Sequence, residues 1–452
     1  AMNIIIVGGG KVGEEITAAL AKEGHDIVVV DTDPEVIKKL TDDYDVLGVC
    51  GSGLICGNLL EAGAANARII ICTTPRDEVN LLCSIIAKKL GVRHSIARVR
   101  DPQLIEQFKF MQTELGISAL VNPDYYAACE IARVLQIPSA IKVDTFAKGR
   151  LFLAEVKVEQ GSKLANMALH MIRRSFGTKI LVCAVTRGDE VVIPTGDFVL
   201  MAGDHIYVTA SHADLIAFFR AAGLDGARVK DVMIIGGSRI AVYLAQQLLD
   251  TGTSVKIIEL DRDRCLELCG MLPRATIVCG DGTSEGLLLE EGVKNIDACV
   301  TLTGIDEENI IISMFAKSCG ARKVITKVSK TSLLGMMHSV GLDTTVSPKK
   351  VTANIILQYV RAKMNSKGNN IQTLYKLVGD RVEALEFIAG EHSATVGVPL
   401  RDLKIKRDVL VSGIIRGGHV IIPTGADIIE PGDSVIIVTT SPHFTDLDEI
   451  LD

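Results

Sequence analysis

The residues of this chain best placed to do chemistry are three glycines near its amino terminus. The stretch that holds them is Gly8-Gly9-Gly10-Lys11-Val12-Gly13. It follows the apolar run Ile4–Val7 and opens a helical pattern. In this context Gly8 permits a tight turn, Gly10 lets the backbone approach a pyrophosphate, and Gly13 lets the helix pack closely on the sheet. We therefore expect the N–H groups at the start of the helix to bind phosphate.

An acidic residue stands where a ribose would meet this turn. Asp31 follows the second predicted strand, Asp26–Val30, and precedes Thr32. A carboxylate at this point accepts hydrogen bonds from an adenosine ribose 2′-OH and repels a 2′-phosphate. The glycines and Asp31 together predict binding of NAD or NADH, with ATP or ADP as alternative ligands. The alternative is a glycine turn that serves only packing.

The chain contains a second copy of this pattern. Residues 4–13 read IIIVGGGKVG and residues 232–241 read VMIIGGSRIA, while the segment 191–210 returns at 420–439. The near-constant offset indicates that a unit of two domains was duplicated. The second copy carries Gly236, Ser238, Arg239, Ile240, Ala241 and Glu259 at the positions of Gly8, Gly10, Lys11, Val12, Gly13 and Asp31. Because Ser238 adds a side chain where the pyrophosphate would lie, nucleotide binding and a purely architectural role stay open for this half.

Further paired segments follow predicted strands, at the edge where open α/β sheets bind ligands. The pairs are Gly51-Ser52 with Gly280-Asp281, Thr73-Thr74 with Leu302-Thr303, and Arg98 with Lys327. The loops could contact a nucleotide or could serve turn and cap chemistry; for the nearby Asp77 and Asp306 we favour helix capping. Arg98 and Lys327 could reach phosphates, and a salt bridge is the equal alternative.

Strands alternating with helices predict α/β architecture: two Rossmann-like, doubly wound parallel-sheet domains, each followed by a small α+β domain. The predicted domains are residues 1–139, 140–224, 225–365 and 366–452, and the clearest linker by composition is 366–370. In the first small domain we expect a helix at Leu164–Ile172. The amphipathic segment Tyr125–Gln136 is a candidate hinge whose neighbours pack across a dimer interface, or equally a core helix.

Composition narrows the function classes. The chain has 452 residues, 48 Lys and Arg against 55 Asp and Glu, and a net charge of −7, which speaks against nucleic acid as a partner. The eleven cysteines lack a disulfide framework. Most lie in apolar elements and are expected to be buried reduced thiols of a cytosolic protein, among them Cys72, Cys83, Cys129, Cys183 and Cys299. Cys265, Cys269 and Cys279 could suggest metal, but helical spacing on a packed face is preferred, and no metal site is expected.

Taken in order, the motifs resemble those of Trk-type potassium uptake regulators, whose paired N- and C-domains are called RCK or KTN domains. The motifs are GGGKVG, VVDTD, ICTTPRDEVN, ARVRDP and the repeated IPTG segment followed by GD. The resemblance covers essentially the whole chain. It implies a cytosolic ring or dimer of dimers, peripheral at the inner face of the cell membrane and gated by nucleotides. The implied partners are a TrkH-like integral-membrane potassium channel or transporter subunit and further copies of the chain, as a dimer or tetramer.

Two other functions are compatible with parts of the sequence. An NAD-dependent dehydrogenase needs a general acid or base beside the cofactor. The 9 histidines do not cluster near either glycine turn, and no catalytic residue is expected. The other alternative is a stand-alone sensor of nucleotides or of cyclic dinucleotides, the latter bound near Ile193 and Ile422.

Overall fold

The structure is a computed structural model that describes residues 2–137, 139–224, 229–364, 371–377, 381–441, 444 and 446–452. The linker predicted at 366–370 lies outside these ranges. Within the described ranges, no helix combines the length and the apolar character needed to cross a membrane.

The first part of the chain forms a six-stranded parallel sheet flanked by helices. Its elements are β1 (Asn3–Val7), α1 (Lys11–Lys22), β2 (Asp26–Asp31), α2 (Pro34–Asp43), β3 (Leu47–Cys50), α3 (Cys56–Glu61), β4 (Ile69–Cys72), α4 (Asp77–Lys89), β5 (His94–Arg98), α5 (Pro102–Leu115), β6 (Ala119–Val121) and α6 (Pro123–Gln136). The strand order is β3-β2-β1-β4-β5-β6. This doubly wound order confirms the predicted α/β class. It also leaves a crevice at the carboxyl ends of β1 and β4, where the winding direction changes.

Strand β1 shows why these strands are apolar throughout. Ile4 and Ile6 pack with α1 on one face, whereas Ile5 and Val7 pack with α3 and α4 on the other. Because helices cover both faces of the sheet, the four positions Ile4–Val7 are shielded from water.

The first small domain is an antiparallel sheet with two helices. Its elements are β7 (Lys142–Phe146), β8 (Leu151–Lys157), α7 (Leu169–Phe176), β9 (Leu181–Arg187), β10 (Glu190–Val192), β11 (His205–Ser211) and α8 (His212–Ala222), in strand order β10-β9-β11-β8-β7. The helix predicted at Leu164–Ile172 was placed too early. Asn166 has a left-handed φ of 63° and Ala168 forms a bridge with Val199, so the backbone becomes helical only at Leu169.

The second half repeats both units. Its large sheet comprises β12 (Asp231–Ile235), α9 (Arg239–Asp250), β13 (Ser254–Glu259), α10 (Arg262–Met271), β14 (Thr276–Cys279), α11 (Glu285–Glu290), β15 (Ala298–Thr301), α12 (Asp306–Ser318), β16 (Lys323–Lys327), α13 (Thr331–Met337), β17 (Thr345–Val346) and α14 (Pro348–Met364). The small sheet comprises β18 (Ile371–Leu377), β19 (Val382–Ile388), β20 (Val409–Arg416), β21 (His419–Ile421) and β22 (Ser434–Thr439). The orders are β14-β13-β12-β15-β16-β17 and β18-β19-β22-β20-β21.

The two large units exchange their last helices. Helix α6 of the first unit buries Ala128, Ile131 and Leu135 in the core of the second unit, beside α9. Helix α14 of the second unit buries Ile356 and Val360 in the core of the first, beside α1. The segment Tyr125–Gln136 is therefore a core helix that joins the two halves of one chain.

An ion pair fixes one of these exchanged helices. Arg361 of α14 is 6% exposed and its guanidinium donates to the carboxylate of Glu23, just after α1. Burial alone raises the pKa of Glu23, but the neighbouring His25 and Arg361 outweigh it and lower that pKa to about 2. The pair therefore stabilises the packing of α14 on α1.

The two small sheets pack face to face. Leu151, Leu153 and Tyr207 of the first share one core with Ile436 and Val438 of the second. The hydroxyl of Thr209 donates to the carbonyl of Ser412 across this interface at 2.9 Å. Both pairs of equivalent units are thus joined within a single chain.

Candidate nucleotide sites at the two sheet edges

The first glycine turn needs glycine for two separate reasons. Gly8 has a φ of +98°, and a Cβ at this position would lie 2.8 Å from the backbone nitrogen of Thr74. A Cβ on Gly13 would lie 1.9 Å from the carbonyl oxygen of Gly8, so the helix and the turn are in close contact. These are the roles expected for the first and third glycines of the motif.

Gly10, by contrast, faces open space. A Cβ built on it meets no atom within 4 Å, and its φ of −62° suits any residue. No side chain caps the amino terminus of α1 at Gly10. The helix therefore presents uncapped N–H groups of the Lys11–Gly13 turn to open space, as binding of a phosphate requires. Val12 is buried, so only its backbone is available, whereas Lys11 is exposed.

Asp31 is attached to the turn itself. One carboxylate oxygen accepts the N–H of Gly9 at 2.7 Å and the other accepts the N–H of Asp33 at 3.0 Å. These bonds hold the carboxylate at the end of β2, beside the exposed Thr32. Each oxygen keeps a second lone pair, and these can accept the hydroxyls of a ribose.

A buried asparagine organises the loop after β4. Asn80 accepts hydrogen bonds from the N–H and hydroxyl of Thr74, and donates to the carbonyls of Thr74 and Arg98 at 2.9 Å. The hydroxyl of Thr73 donates to the carbonyl of Gly8 at 3.1 Å. The loop residues Thr73 and Thr74 are therefore fixed against the glycine turn.

The capping role favoured for Asp77 was wrong. Asp77 leaves its own helix uncapped and accepts the backbone N–H groups of Arg100 and Asp101, both at 2.8 Å. Asp306 does the same for Ser329 and Lys330 in the second half. Both aspartates hold the loop that follows the next strand, which lies beside them only in the folded sheet.

Arg98 extends from β5 into the same crevice. It donates to the carbonyl of Thr74 at 3.2 Å, and it makes no salt bridge among the described residues. Its buried Nε has no partner within the described part of the chain. Burial and the nearby Arg100 lower the pKa of Arg98. A cation with an unused donor fits an anionic ligand at this edge.

The loop after β3 closes the first site. Gly51 donates to the carbonyl of Asp31 at 2.8 Å, and its Cβ would clash with Asn58. The hydroxyl of Ser52 accepts the N–H of Leu54 at 3.2 Å. Gly51 and Ser52 therefore lie beside Asp31 at the carboxyl edge of the sheet.

The second glycine turn keeps the backbone of the first, but a side chain caps the amino terminus of its helix. Gly236 has a φ of +99° and contacts Leu302 as closely as Gly8 contacts Thr74. Ser238 caps α9, because its hydroxyl accepts the N–H of Ala241 at 3.3 Å. The sequence suggested only that the serine side chain would obstruct a pyrophosphate. In the structure it also takes an N–H group that a phosphate would use.

Glu259 reproduces the contacts of Asp31. Its carboxylate accepts the N–H groups of Gly237 at 2.6 Å and Asp261 at 2.8 Å. Arg264 has no counterpart in the first half, where Val36 stands, and its Nε donates to the carbonyl of Gly237 at 2.8 Å. The second turn is thus held more completely by the protein than the first.

The remaining second-half candidates are satisfied internally. Lys327 donates to the carbonyl of Thr303 at 2.6 Å, and burial lowers its pKa. The side chain of Leu302 is buried in the core. Gly280 donates to the carbonyl of Glu259, and Asp281 accepts both the N–H and the hydroxyl of Thr283, which lower its pKa. Arg239 is exposed and Ile240 buried, like Lys11 and Val12.

The carboxyl edges of the two large sheets face one another. Asn122, after β6, donates to the hydroxyl of Tyr243 on α9 at 3.0 Å. Lys349, at the start of α14, lies beside Lys11, and burial together with this like charge lowers the pKa of Lys349. The two glycine turns therefore lie in one shared, cation-bearing region between the halves.

Sequence reasoning missed several residues of this region. Asn80, Asn309 and Lys349 act on loops that are distant in sequence, so their partners become visible only in three dimensions. The repeat offered one signal, since Asn80 and Asn309 occupy equivalent positions in both halves. The Cys265, Cys269 and Cys279 group is not arranged to hold a metal ion among the described residues.

Two duplicated Rossmann units with small antiparallel companions, joined by exchanged helices, define a protein built from two tandem pairs of a nucleotide-fold domain and a small domain. The TrkA-N domain model matches residues 4–123 and 232–348, and the TrkA-C domain model matches residues 153–223 and 384–452. The chain belongs to the TrkA family of Trk system potassium uptake proteins, which confirms the resemblance drawn from the motifs.

Relatives and solved structures agree with this assignment. The chain is 32% identical to the Trk system potassium uptake protein TrkA homolog 1 of Methanosarcina mazei, over 99% of both chains. It is also 32% identical to the TrkA homolog of Archaeoglobus fulgidus, over 99% of this chain and 100% of the relative. The GsuK channel bound to NAD superposes with a TM-score of 0.62 over 97% of this chain and 77% of that chain. At 19% identity, this likeness concerns the fold.

Proposed function

We propose that this chain is the regulatory subunit of a Trk-type potassium uptake system, and that a nucleotide bound to its first half gates a membrane potassium pore. Its full-length relatives are named as potassium uptake proteins, which supports the transport role. The proposed ligand is NAD or NADH, with ATP or ADP as the alternative. One observation carries this proposal: a glycine turn at the switch point of the sheet ends in an uncapped helix terminus, beside a fixed carboxylate.

The proposed first site uses backbone and side chains in different roles. The N–H groups of the Gly8–Gly13 turn bind the phosphates, and Asp31 accepts the ribose hydroxyls. Thr32, Gly51 and Ser52 border the adenosine, while Thr73, Thr74 and Arg98 line the far side. The GsuK structure described as bound to NAD supports a dinucleotide on this fold.

The second site is proposed to be weaker and to use the corresponding residues. These are Gly236, Ser238, Arg239, Ile240, Glu259, Gly280, Asp281, Leu302, Thr303 and Lys327. The cap made by Ser238 competes directly with a phosphate for the N–H of Ala241. A ligand at this site must therefore displace the cap or bind without that contact.

We propose that the ligand acts by changing how the two halves meet. A ligand shifts a conformational equilibrium only by binding one state better than the other. Lys11 and Lys349 belong to different halves and lie side by side. An anionic ligand between them removes their repulsion, so it favours the arrangement in which the halves are close. A coupling of about 1–3 kcal/mol per site is typical for allosteric proteins.

The proposed partners follow from this role. The chain acts on a TrkH-like integral-membrane potassium channel or transporter subunit, from the cytoplasmic side of the membrane, and it associates with itself as a dimer or tetramer. Its net charge of −7 argues against a nucleic acid partner.

A dehydrogenase is the less favoured function. His25 and His94 lie at the amino ends of β2 and β5, at the sheet edge opposite the glycine turn. His205 is paired with Glu155 at 2.9 Å in the first small domain. None of these three histidines lies at the sheet edge where a nicotinamide would bind. Measuring NADH turnover with a panel of hydroxy acids and amino acids tests this alternative.

A stand-alone cyclic-dinucleotide sensor is also less favoured. Ile422 is 7% exposed and lies with Ile193 in the core shared by the two small sheets. Arg173 donates to the carbonyl of Ile422 at 3.3 Å, across that interface. A cyclic dinucleotide at this position would have to separate packed surfaces.

The decisive experiment has two parts. Calorimetric titration of the full chain with NAD, NADH, NADP, ADP, ATP and cyclic di-AMP identifies the ligand. Potassium flux into vesicles that contain a TrkH-like pore, with and without the chain, then measures gating. We expect binding of a nucleotide without a 2′-phosphate and a flux that depends on it. Tighter binding of NADP, or flux that ignores the chain and its ligand, would reject the proposal.

A further inference from the structure

Three cysteine side chains meet beside Glu259 in the second half. Cys265 lies in the first turn and a half of α10, Cys269 one turn further along, and Cys279 is the last residue of β14. The thiols of Cys265 and Cys279 lie near enough to interact, with Cys269 nearby. Cys265 is buried, whereas Cys269 and Cys279 are exposed.

The sheet register explains why the two thiols meet. Cys279 is the register partner of Glu259 in the parallel pair β13–β14. The Cys265 thiol donates to the carbonyl of Glu259 at 3.4 Å, and the Cys279 thiol points to the carbonyl of the next residue, Leu260, at 4.0 Å. Two neighbouring peptide groups therefore hold both sulfur atoms at the same strand end.

The first half lacks this pair. Cys50 occupies the position of Cys279 and is the register partner of Asp31, but Ile37 and Thr41 stand in place of Cys265 and Cys269. Cys72 and Cys83 also lie near one another in the first half, yet both are fully buried. Among the described residues, Cys265 and Cys279 thus form a pair of neighbouring thiols of which one, Cys279, is open to a dissolved oxidant.

We propose that Cys265 and Cys279 are a reversible oxidation site that closes to an intrachain disulfide bond linking α10 to the end of β14. The two thiols face adjacent carbonyl groups at one strand end, and a disulfide requires their sulfur atoms to approach to about 2.05 Å. The bond would fix α10 against the strand end that carries Glu259. This inference stands whether or not a nucleotide binds at that edge.

The chemistry balances with a small-molecule disulfide as oxidant. The exposed Cys279 thiolate attacks oxidised glutathione, forms a mixed disulfide and releases one reduced glutathione. The Cys265 thiolate then attacks the Cys279 sulfur and releases the second. The two protein thiols lose two electrons and two protons, and one glutathione disulfide becomes two thiols. Burial and the neighbouring Cys279 thiol raise the pKa of Cys265 to about 11, so the closing step is expected to accelerate as the pH rises from 7 to 9.

Peptide mapping of the full chain tests the proposal. The chain is treated with oxidised glutathione, blocked with N-ethylmaleimide under denaturing conditions and digested with trypsin. Cleavage after Arg264, Arg274 and Lys294 yields the peptides 265–274 and 275–294. We expect these peptides to be cross-linked, and to separate again after dithiothreitol treatment of the intact protein.

Variants locate the bond. C265S should abolish the cross-link and leave glutathione on Cys279, whereas C269S should retain the cross-link. I37C supplies the missing thiol opposite Cys50 and should create a new cross-link in the first half. Cys72 and Cys83 should remain free to react with N-ethylmaleimide. A wild-type chain that carries only glutathione on Cys279, or a cross-link that survives C265S, would overturn the proposal.

Discussion

Asp31 connects the local chain geometry to ligand choice. Its two oxygens each hold one backbone N–H, from Gly9 and Asp33, so the carboxylate is positioned before any ligand arrives. A fixed anion costs little reorganisation on binding and repels a 2′-phosphate at short range. Discrimination between NAD and NADP is therefore expected to depend on this charge.

We predict that Asp31→Asn weakens NAD binding by roughly 1–3 kcal/mol, because a charged hydrogen-bond acceptor is lost. The preference for NAD over NADP should fall with it, since the repulsion of the 2′-phosphate is removed. Calorimetric titration with both nucleotides measures the two effects. Asp26→Asn, at the exposed opposite end of β2, is the matched control and should change neither. An unaltered NAD-to-NADP ratio in the Asp31 variant would contradict the assigned role.

Ser238 and Gly10 offer a reciprocal exchange. A Cβ at position 10 meets no protein atom within 4 Å, and the φ of Gly10 suits any residue. Any loss of nucleotide affinity in the Gly10→Ser variant therefore arises from interference with the ligand and not from strain in the turn. We predict that Gly10→Ser weakens nucleotide binding in the first half, while Ser238→Gly strengthens it in the second. Replacing a capping serine by glycine costs the helix only about a few tenths of a kcal/mol.

Calorimetric titration tests this exchange, because it measures how many nucleotides each chain binds and how tightly. The unmodified chain should bind about one nucleotide tightly, and the Ser238→Gly chain should show a second site or a tighter one. The double variant keeps the number of serines constant and should move the tighter site to the second half. Equal affinities of both halves in every variant would show that the cap is irrelevant.

The packing roles of Gly8 and Gly13 could be predicted from sequence because they act on neighbours in one strand–turn–helix unit. The ribose contact of Asp31 stays a prediction. Other roles could not be predicted from sequence. Asn80 bonds to the carbonyl of Arg98, and Asp77 to the loop beyond it, and only the parallel pairing of β4 and β5 brings these together. Likewise, the sequence shows that position 238 carries a serine side chain, but not which hydrogen bond that side chain makes.

At the scale of elements, the sheets were predictable and the exchange of helices was not. The hydrophobic periodicity of each segment, and the glycines between segments, indicate the strands and helices locally. The local sequence does not indicate whether α6 covers its own sheet or the other one, because an amphipathic helix can pack on either apolar surface. The boundary of α7 failed for a similar reason: the bridge between Ala168 and Val199 competes with helix over residues that look helical in sequence.

The Glu23–Arg361 pair tests the exchanged helix α14. We predict that Glu23→Gln lowers the stability of the chain at pH 7 by about 2–3 kcal/mol, since it leaves a buried guanidinium without its partner. The pKa of Glu23 is about 2 in the folded state and near 4.5 when unfolded. The carboxylate therefore stabilises the fold fully above pH 4.5, and this contribution is lost as the pH falls towards 2.

Urea unfolding at pH 7 and at pH 3 measures this contribution. The difference in the free energy of unfolding between the wild type and Glu23→Gln should be smaller at pH 3 than at pH 7. The exposed pair Lys330–Glu307 gives the control, and Glu307→Gln should shift the midpoint far less. A difference that stays constant with pH would mean that the pair does not stabilise the packing of α14 on α1.

In the whole molecule, the two similar halves share their hydrophobic cores. Each large unit contributes a helix to the core of the other, and the two small sheets share a third core. A fragment such as 1–224 lacks α14 and would expose the surface of its sheet that α14 covers. Ligand binding by each half is therefore better measured in the full chain, with one site altered at a time, than in separated halves.

The outer surface suggests how whole chains associate. The equivalent helices α4 and α12 each expose an apolar residue at the matching position, Leu82 at 49% and Ile311 at 66%, and Met314 lies on the same face as Ile311 at 44%. Because the halves are alike, such surfaces suit two-fold pairing between copies. We predict a homo-oligomer with an even number of chains. Light scattering at micromolar concentration should give an even multiple of 48.5 kDa.

A charge placed on this surface should weaken the association. Ile311→Glu would bury an unpaired carboxylate in the contact, so we expect it to lower the measured mass, with Leu82→Glu acting in the same direction. Lys38→Glu, at an exposed position of α2, introduces the same side chain elsewhere and should leave the mass unchanged. Circular dichroism shows whether each variant remains folded. A wild-type chain that is monomeric at micromolar concentration would contradict the even oligomer. A folded Ile311→Glu chain of unchanged mass would show instead that copies meet through a different surface.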